Sequence, residues 1–136
     1  MQSLFDNSNG LFLSLEGTDG AGKSTAANRL ADRYRDAGIP FLRLDKWYCE
    51  PVDPEATQEL RDHMERLNRL IFGRPREVAA QLGDQHWFHM LAAWQWLMND
   101  HVIVPALRRG LVVILDNSPQ KTIARYLVNE TISAGT

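Results

Sequence analysis

Residues 17–25, GTDGAGKST, set three glycines, a carboxylate, a lysine and hydroxyl side chains into one short stretch directly after the apolar run LFLSL. Gly17, Gly22, Lys23 and Ser24 fit the pattern G-x-x-x-x-G-K-[ST]. Glycines let a backbone bend so that several N–H groups point inward, and a helix starting at the lysine adds its positive N-terminal end. The cradle so formed, Gly17, Thr18, Asp19, Gly20, Ala21, Gly22, Lys23, Ser24 and Thr25, suits a polyphosphate such as ATP. Lys23 is placed to reach the β- and γ-phosphates, and the Ser24 hydroxyl to ligate Mg²⁺. The plainer alternative is a glycine-rich strand-to-helix turn that holds nothing. Asp116, which closes the run LVVILD, stands where such a fold puts a second magnesium-site carboxylate. Strand-end aspartates also serve simply as turn residues.

These residues need elements to position them. Residues 11–16 form a short apolar run and read as a buried strand. A helix follows from Lys23, with Ala26, Ala27, Leu30, Ala31, Tyr34 and Ala37 at helical spacing and Gly38 as a left-handed stop. IPFLRL then reads as a second strand. From Pro54, the residues Ala56, Leu60, Met64, Leu67 and Ile71 make a helical stripe that ends at Gly73 and Pro75. From Asp84 the chain is apolar nearly all round, through Trp87, Leu91, Trp94 and Met98, which predicts a helix buried on more than one side, interrupted at Pro105 and ended by Gly110. Residues 111–116 are a third strand. A last helix after Pro119 carries Ile123, Tyr126, Leu127 and Val128.

Strands separated by helices imply a doubly wound α/β fold with a parallel sheet, because a parallel neighbour is reached only by a crossover. The expectation is one P-loop domain over residues 1–136, with residues 1–10 as a flexible lead. Three strands make a thin sheet beside the usual five or so. The phosphate-loop strand is then expected at a sheet edge, in a chain that is part of a longer product or that self-associates as a homo-oligomer.

Composition narrows the functions. A chain of 136 residues, 44% hydrophobic and 24% charged, is globular in character. A net charge of -2 argues against a polymeric nucleic acid as partner, since such a surface needs excess Lys and Arg. A single cysteine, Cys49, makes no internal disulfide and points to a reducing, cytoplasmic setting. The N-terminal MQSLFDNSNG lacks the basic and apolar segments of a leader, and no apolar run reaches the roughly 18 residues of a membrane span, so no membrane partner is expected.

LSLEGTDGAGKST resembles the opening of thymidylate kinases, which read an apolar run and then EG-x-[DE]-GAGK-[ST]-T. Gly38-Ile39, Glu50-Pro51 followed eleven residues later by Arg61, and PALRRG before VVILD agree in order. The likeness implies a parallel sheet, ATP with Mg²⁺, and phosphoryl transfer to a nucleotide or a related small molecule. It also implies that Asp19 contacts a hydroxyl of the acceptor's sugar, where the plainer role is a cap. The chain departs from the family on the acceptor side. Asp116-Asn117-Ser118 stands where the family has Asp-Arg-Tyr or Asp-Arg-His, and a neutral amide lacks the charge and the two-pronged fork of that phosphate-holding arginine. The family's F-A-A-D-R, which reads thymine, falls on Leu91, Ala92, Ala93, Trp94 and Gln95, and Val52 and Asp53 replace the glycines after Glu-Pro. The family's later portion, with its lid and adenine loop, has no counterpart here.

Glu-Pro-Val also resembles deoxynucleoside kinases, in which that glutamate deprotonates a 5′-hydroxyl. Glu50 is therefore a candidate general base if the acceptor is an alcohol, against the reading of an exposed loop glutamate. Trp47, Trp87, Trp94 and Trp96 offer stacking surfaces, though aromatics at helical spacing usually fill cores. His86 and His89 lack a third ligand in register. Arg74, Arg76 and Arg125 are candidate replacements for the missing phosphate clamp, with solvated surface arginines as the alternative. Three functions stand: a nucleotide-type kinase, a kinase for nucleosides or other hydroxyl compounds, and a nucleotide-binding protein without catalysis. A GTPase is disfavoured, as no N-K-x-D motif occurs.

Overall fold

A computed structural model describes residues 10–15 and 22–116. Three strands, β1 (Leu11–Leu15), β2 (Phe41–Leu44) and β3 (Val112–Asp116), pair in parallel in the order β1-β3-β2. Among the described residues the last strand, β3, therefore inserts between the first two. Leu11 pairs with Val112 and Leu15 with Asp116 on one side, and Phe41 with Val112 and Leu44 with Leu115 on the other. Among the described residues β1 and β2 are each paired along one edge, and every residue of β3 is buried. This is the open parallel sheet with flanking helices that the strand-helix alternation predicts.

Alternation along β3 divides the core into two layers. Val112 and Ile114 face α1 (Lys23–Asp36) and pack with Ala27 and Ala31. Val113 and Leu115 face the opposite layer, with Leu44, Met64, Ile71, Leu91, Trp94 and Met98. That layer is built from α2 (Gln58–Phe72), α3 (Arg76–Met98), a wide π-helical turn (Asn99–Ile103) and the short α4 (Val104–Arg108). Small alanines let α1 lie close on the sheet, while methionine, leucine and tryptophan fill the deeper layer.

Several element bounds differ from the sequence expectation. The helix expected from Pro54 begins at Gln58, because Asp53 first folds the chain into a turn. Its carboxylate accepts from the Glu55 amide at 2.9 Å, its carbonyl from the Ala56 amide at 3.1 Å, and Thr57 then caps α2 by accepting from the Leu60 amide at 3.2 Å. The helix expected from Asp84 is preceded by helical residues from Arg76, with a break at Gly83, whose φ is 83°. It is not buried on more than one side. Trp87, Leu91, Trp94 and Met98 form one buried stripe at spacings of four and three, while Trp96 points outward and is 68% exposed. Pro105 interrupts the helix through the π turn just before it, as its ring nitrogen cannot donate to the preceding turn. Glycines 38 and 110 take positive φ after α1 and α4. Among the described residues no helix is long and apolar enough to cross a membrane.

Gly10 locks β1 to the rest of the fold. A β-carbon there would lie 2.6 Å from the Leu111 carbonyl oxygen and 2.8 Å from that of Leu107. Both obstacles are backbone, so neither can rotate away. Gly10→Ala is expected to destabilise the protein by about 1–3 kcal/mol, as overpacking does elsewhere. Urea denaturation measures this, and an unchanged midpoint would show that β1 is free to shift.

Candidate active site

The carboxyl ends of β1 and β3 and the start of α1 meet at one place, where a parallel sheet collects its ligands. Gly22 caps α1 with φ 83° and ψ 17°, a left-handed conformation that a side chain disfavours. Its carbonyl accepts from the Ala26 amide at 2.9 Å, which starts the helix at Lys23. The Ser24 hydroxyl donates to Asp116 Oδ2 at 2.9 Å. These two residues lie 92 positions apart, and β3 closes that distance by pairing beside β1.

Asp116 is 2% exposed. A buried carboxylate is costly unless its oxygens are compensated. Oδ2 receives Ser24 and, at 3.3 Å, Nη2 of Arg43, whereas Oδ1 is buried and has no hydrogen-bond partner among the described residues. Such an oxygen suits a hard cation that takes oxygen ligands, and a carboxylate with a hydroxyl is the protein's usual share of a magnesium site in which phosphates and water complete the shell. The residues present thus fit Mg²⁺. Among the described residues no group of three or more His, Cys, Asp and Glu side chains is placed to hold a metal.

Arg43 is absent from the motifs that spacing reveals. Register puts it opposite Ile114, on the α1 face of the sheet, two residues short of Asp116 along the strands. A charged residue within FLRL is the signal that marks it, but the partner emerges only from the pairing of β2 with β3.

The loop before α2 carries Glu50. Its carboxylate accepts from Arg61 Nη1 at 2.9 Å, and is two-thirds exposed. Arg61 also donates to the carbonyls of Ala56 and Asp53, so one guanidinium ties both ends of the turn. The Val52 amide donates to the His101 carbonyl on the π turn at 2.9 Å, and Arg109 Nη1 donates to the Val52 carbonyl. Asn68, buried, donates to the Lys46 carbonyl at 2.7 Å. Beside Glu50 the Cys49 thiol is pushed up, first by burial and then by the charges of Glu50 and Glu65, with Arg69 opposing.

Other candidates divide plainly. Trp87 and Trp94 are core residues, and Trp47 is half-exposed with its ring edge-on to Phe72. Leu91 is buried in the helical layer. Gln95 donates to Asn99 Oδ1 at 2.9 Å while its own carbonyl oxygen is buried without a partner. Arg74 donates to the Ile71 carbonyl and stacks over Trp87 at 4.2 Å, so it braces α2 against α3 rather than standing open as a phosphate clamp. Arg76 is exposed at the start of α3. Gly17, Thr18, Asp19, Gly20, Ala21, Asn117, Arg125 and the helix expected after Pro119 lie outside the described residues.

The chain is 36% identical over 115 residues to a thymidylate kinase of Gluconobacter oxydans, a match that covers 85% of this chain and 47% of the relative. Thymidylate kinases of Pseudomonas fluorescens strain Pf-5, at 36%, and Fervidobacterium nodosum, at 25%, match over 85% and 84% of the chain. Over these residues the chain is similar to thymidylate kinases. It spans about half the length of the curated relatives it matches. No family model matches it. A match over 115 residues takes in α1 and the loop that Arg61 fastens.

Arg61→Ala is expected to loosen residues 50–56, raising their amide exchange rates and lowering stability by about 0.5–1.5 kcal/mol. Glu50→Gln should cost less, since an exposed ion pair contributes little and the carbonyl contacts survive. Exchange mapped by mass spectrometry checks both, and equal protection in all three proteins would show that the contacts of Val52 with His101 and Arg109 hold the loop without Arg61.

Proposed function

We propose that the chain is the phosphate-donor half of a nucleotide-type kinase, which moves the γ-phosphoryl group of ATP to a small-molecule acceptor other than dTMP. One observation carries this: the Ser24 hydroxyl at the head of α1 meets the buried Asp116 carboxylate, whose second oxygen has no partner among the described residues. Ser24 and Asp116 would hold Mg²⁺, which when bound neutralises phosphate charge. Lys23, the first residue of α1, supplies positive charge to the β- and γ-phosphates, and the helix N-terminus adds its own. In the transfer, the bond from the γ-phosphorus to the bridging oxygen breaks and one to the acceptor oxygen forms. The chain's contribution is placement and fixed charge.

The acceptor reading rests on departures from the thymidylate kinase pattern. Asn117 stands in sequence where that pattern has arginine, Leu91 is buried in the core, and Gln95 is bound to Asn99. Losing one charge-assisted bond to an acceptor phosphate costs about 1.5–3 kcal/mol, or roughly one to two decades in kcat/KM. dTMP is therefore expected to be a poor substrate. Nucleotides, nucleosides and other hydroxyl compounds screened with Mg-ATP for acceptor-dependent ADP release test this directly. Efficient dTMP phosphorylation would overturn the acceptor reading, and tight Mg-ATP binding with no turnover on any acceptor would make the chain a nucleotide-binding protein without catalysis.

Lys23→Ala should lower ATP binding or turnover by orders of magnitude while the fold survives, since its loss leaves phosphate charge uncompensated. Calorimetric titration with Mg-ATP checks this. An affinity equal to the parent's would overturn the donor site.

A further inference from the structure

Arg43 and Asp116 form an unfinished pair. An arginine and a carboxylate ordinarily close two parallel hydrogen bonds. Here Nη2 reaches Oδ2 at 3.3 Å, the long end of the range, while Nε and Oδ1 are both buried and, among the described residues, both without a partner. The Ser24 hydroxyl already occupies Oδ2 at 2.9 Å. Asp116 is almost wholly inside, with 3% of its side chain exposed, whereas a quarter of the Arg43 side chain is open to solvent. The carboxylate is fixed and the guanidinium has room to move.

We infer that Arg43 is the exchangeable counter-ion of Asp116, a positioning residue that sets the affinity of the site for its divalent cation. This rests on the reading of Asp116 as the magnesium carboxylate. A single buried negative charge cannot fully compensate both a guanidinium and a dication, so cation binding must weaken the Arg43 contact. By linkage, the Arg43 contact weakens cation binding to the same degree. While the cation is away, Arg43 spares the fold an uncompensated buried charge. When the cation arrives, the guanidinium turns toward the solvent that already meets part of its side chain.

The test uses Mn²⁺ alone as the probe, with free ion read by electron paramagnetic resonance, on the full chain and on Arg43→Met, Arg43→Lys, Asp116→Asn and the Arg43→Met, Asp116→Asn double variant. Removing the competitor should tighten Mn²⁺ binding by about tenfold or more, the equivalent of one charge-assisted hydrogen bond. Arg43→Lys should fall between, because it keeps a charge without the fork. In the Asp116→Asn background the Arg43 change should have no effect. An unchanged or weaker Mn²⁺ affinity in Arg43→Met, with Asp116→Asn still impaired, overturns the counter-ion role and leaves the magnesium reading intact. Equal Mn²⁺ binding by the parent and Asp116→Asn overturns both. Should Arg43→Met fail to fold by circular dichroism, Arg43→Lys decides the matter, and a parent-like affinity there overturns the inference.

Discussion

A carboxylate buried at the end of the central strand is the constraint to which the site answers. Asp116 closes β3, whose residues are all inside, and its burial removes the water that would otherwise solvate it. Two elements supply the compensation. α1 brings the Ser24 hydroxyl, and β2 brings Arg43 from two residues down the neighbouring strand. The two could not both reach Asp116 if β3 paired at the outside of the sheet, and the insertion of β3 between β1 and β2 is what makes a three-cornered contact possible.

The opposite layer does different work. Met64, Ile71, Leu91, Trp94 and Met98 form an apolar bed under β3. On that bed the loop between β2 and α2 is fastened through backbone atoms, at Lys46 by Asn68, at Val52 by His101 and Arg109, and at Asp53 and Ala56 by Arg61. A loop held by its own carbonyls and amides keeps its path while its side chains vary. Val52 is held there through its backbone, Asp53 adds its carboxylate to the turn, and the Glu50–Arg61 pair joins the loop to α2.

On the proposed reading, the sequence keeps the thymidylate kinase pattern at its phosphate loop and departs from it at Leu91, Gln95 and Asn117. Residues that meet phosphate and cation depend on charge and on backbone shape, which leave few substitutes. Residues that read a base sit on a helix face, where a change of side chain alters the pocket and spares the fold. In this chain Leu91 is part of the core, and the Gln95 amide donates to Asn99.

What the sequence by itself determined was local. The glycine pattern marked the head of α1, the alternation of apolar runs with helical stripes marked a parallel α/β sheet, and Gly38, Gly73 and Gly110 marked the ends of helices, because each depends on neighbours within a few residues. Helix starts were less legible, as at Pro54, where an aspartate turn and a threonine cap compete with the apolar stripe. Tertiary structure alone decided which charges meet. Arg43 lies 73 positions from Asp116, and no spacing rule connects them. Their contact follows from strand order and register, which are set by how two apolar faces of β3 are covered at once. The same cause turned α3 into a helix with one buried stripe. Its apolar residues outnumber those the sheet layer can cover, and Trp96 is left outside.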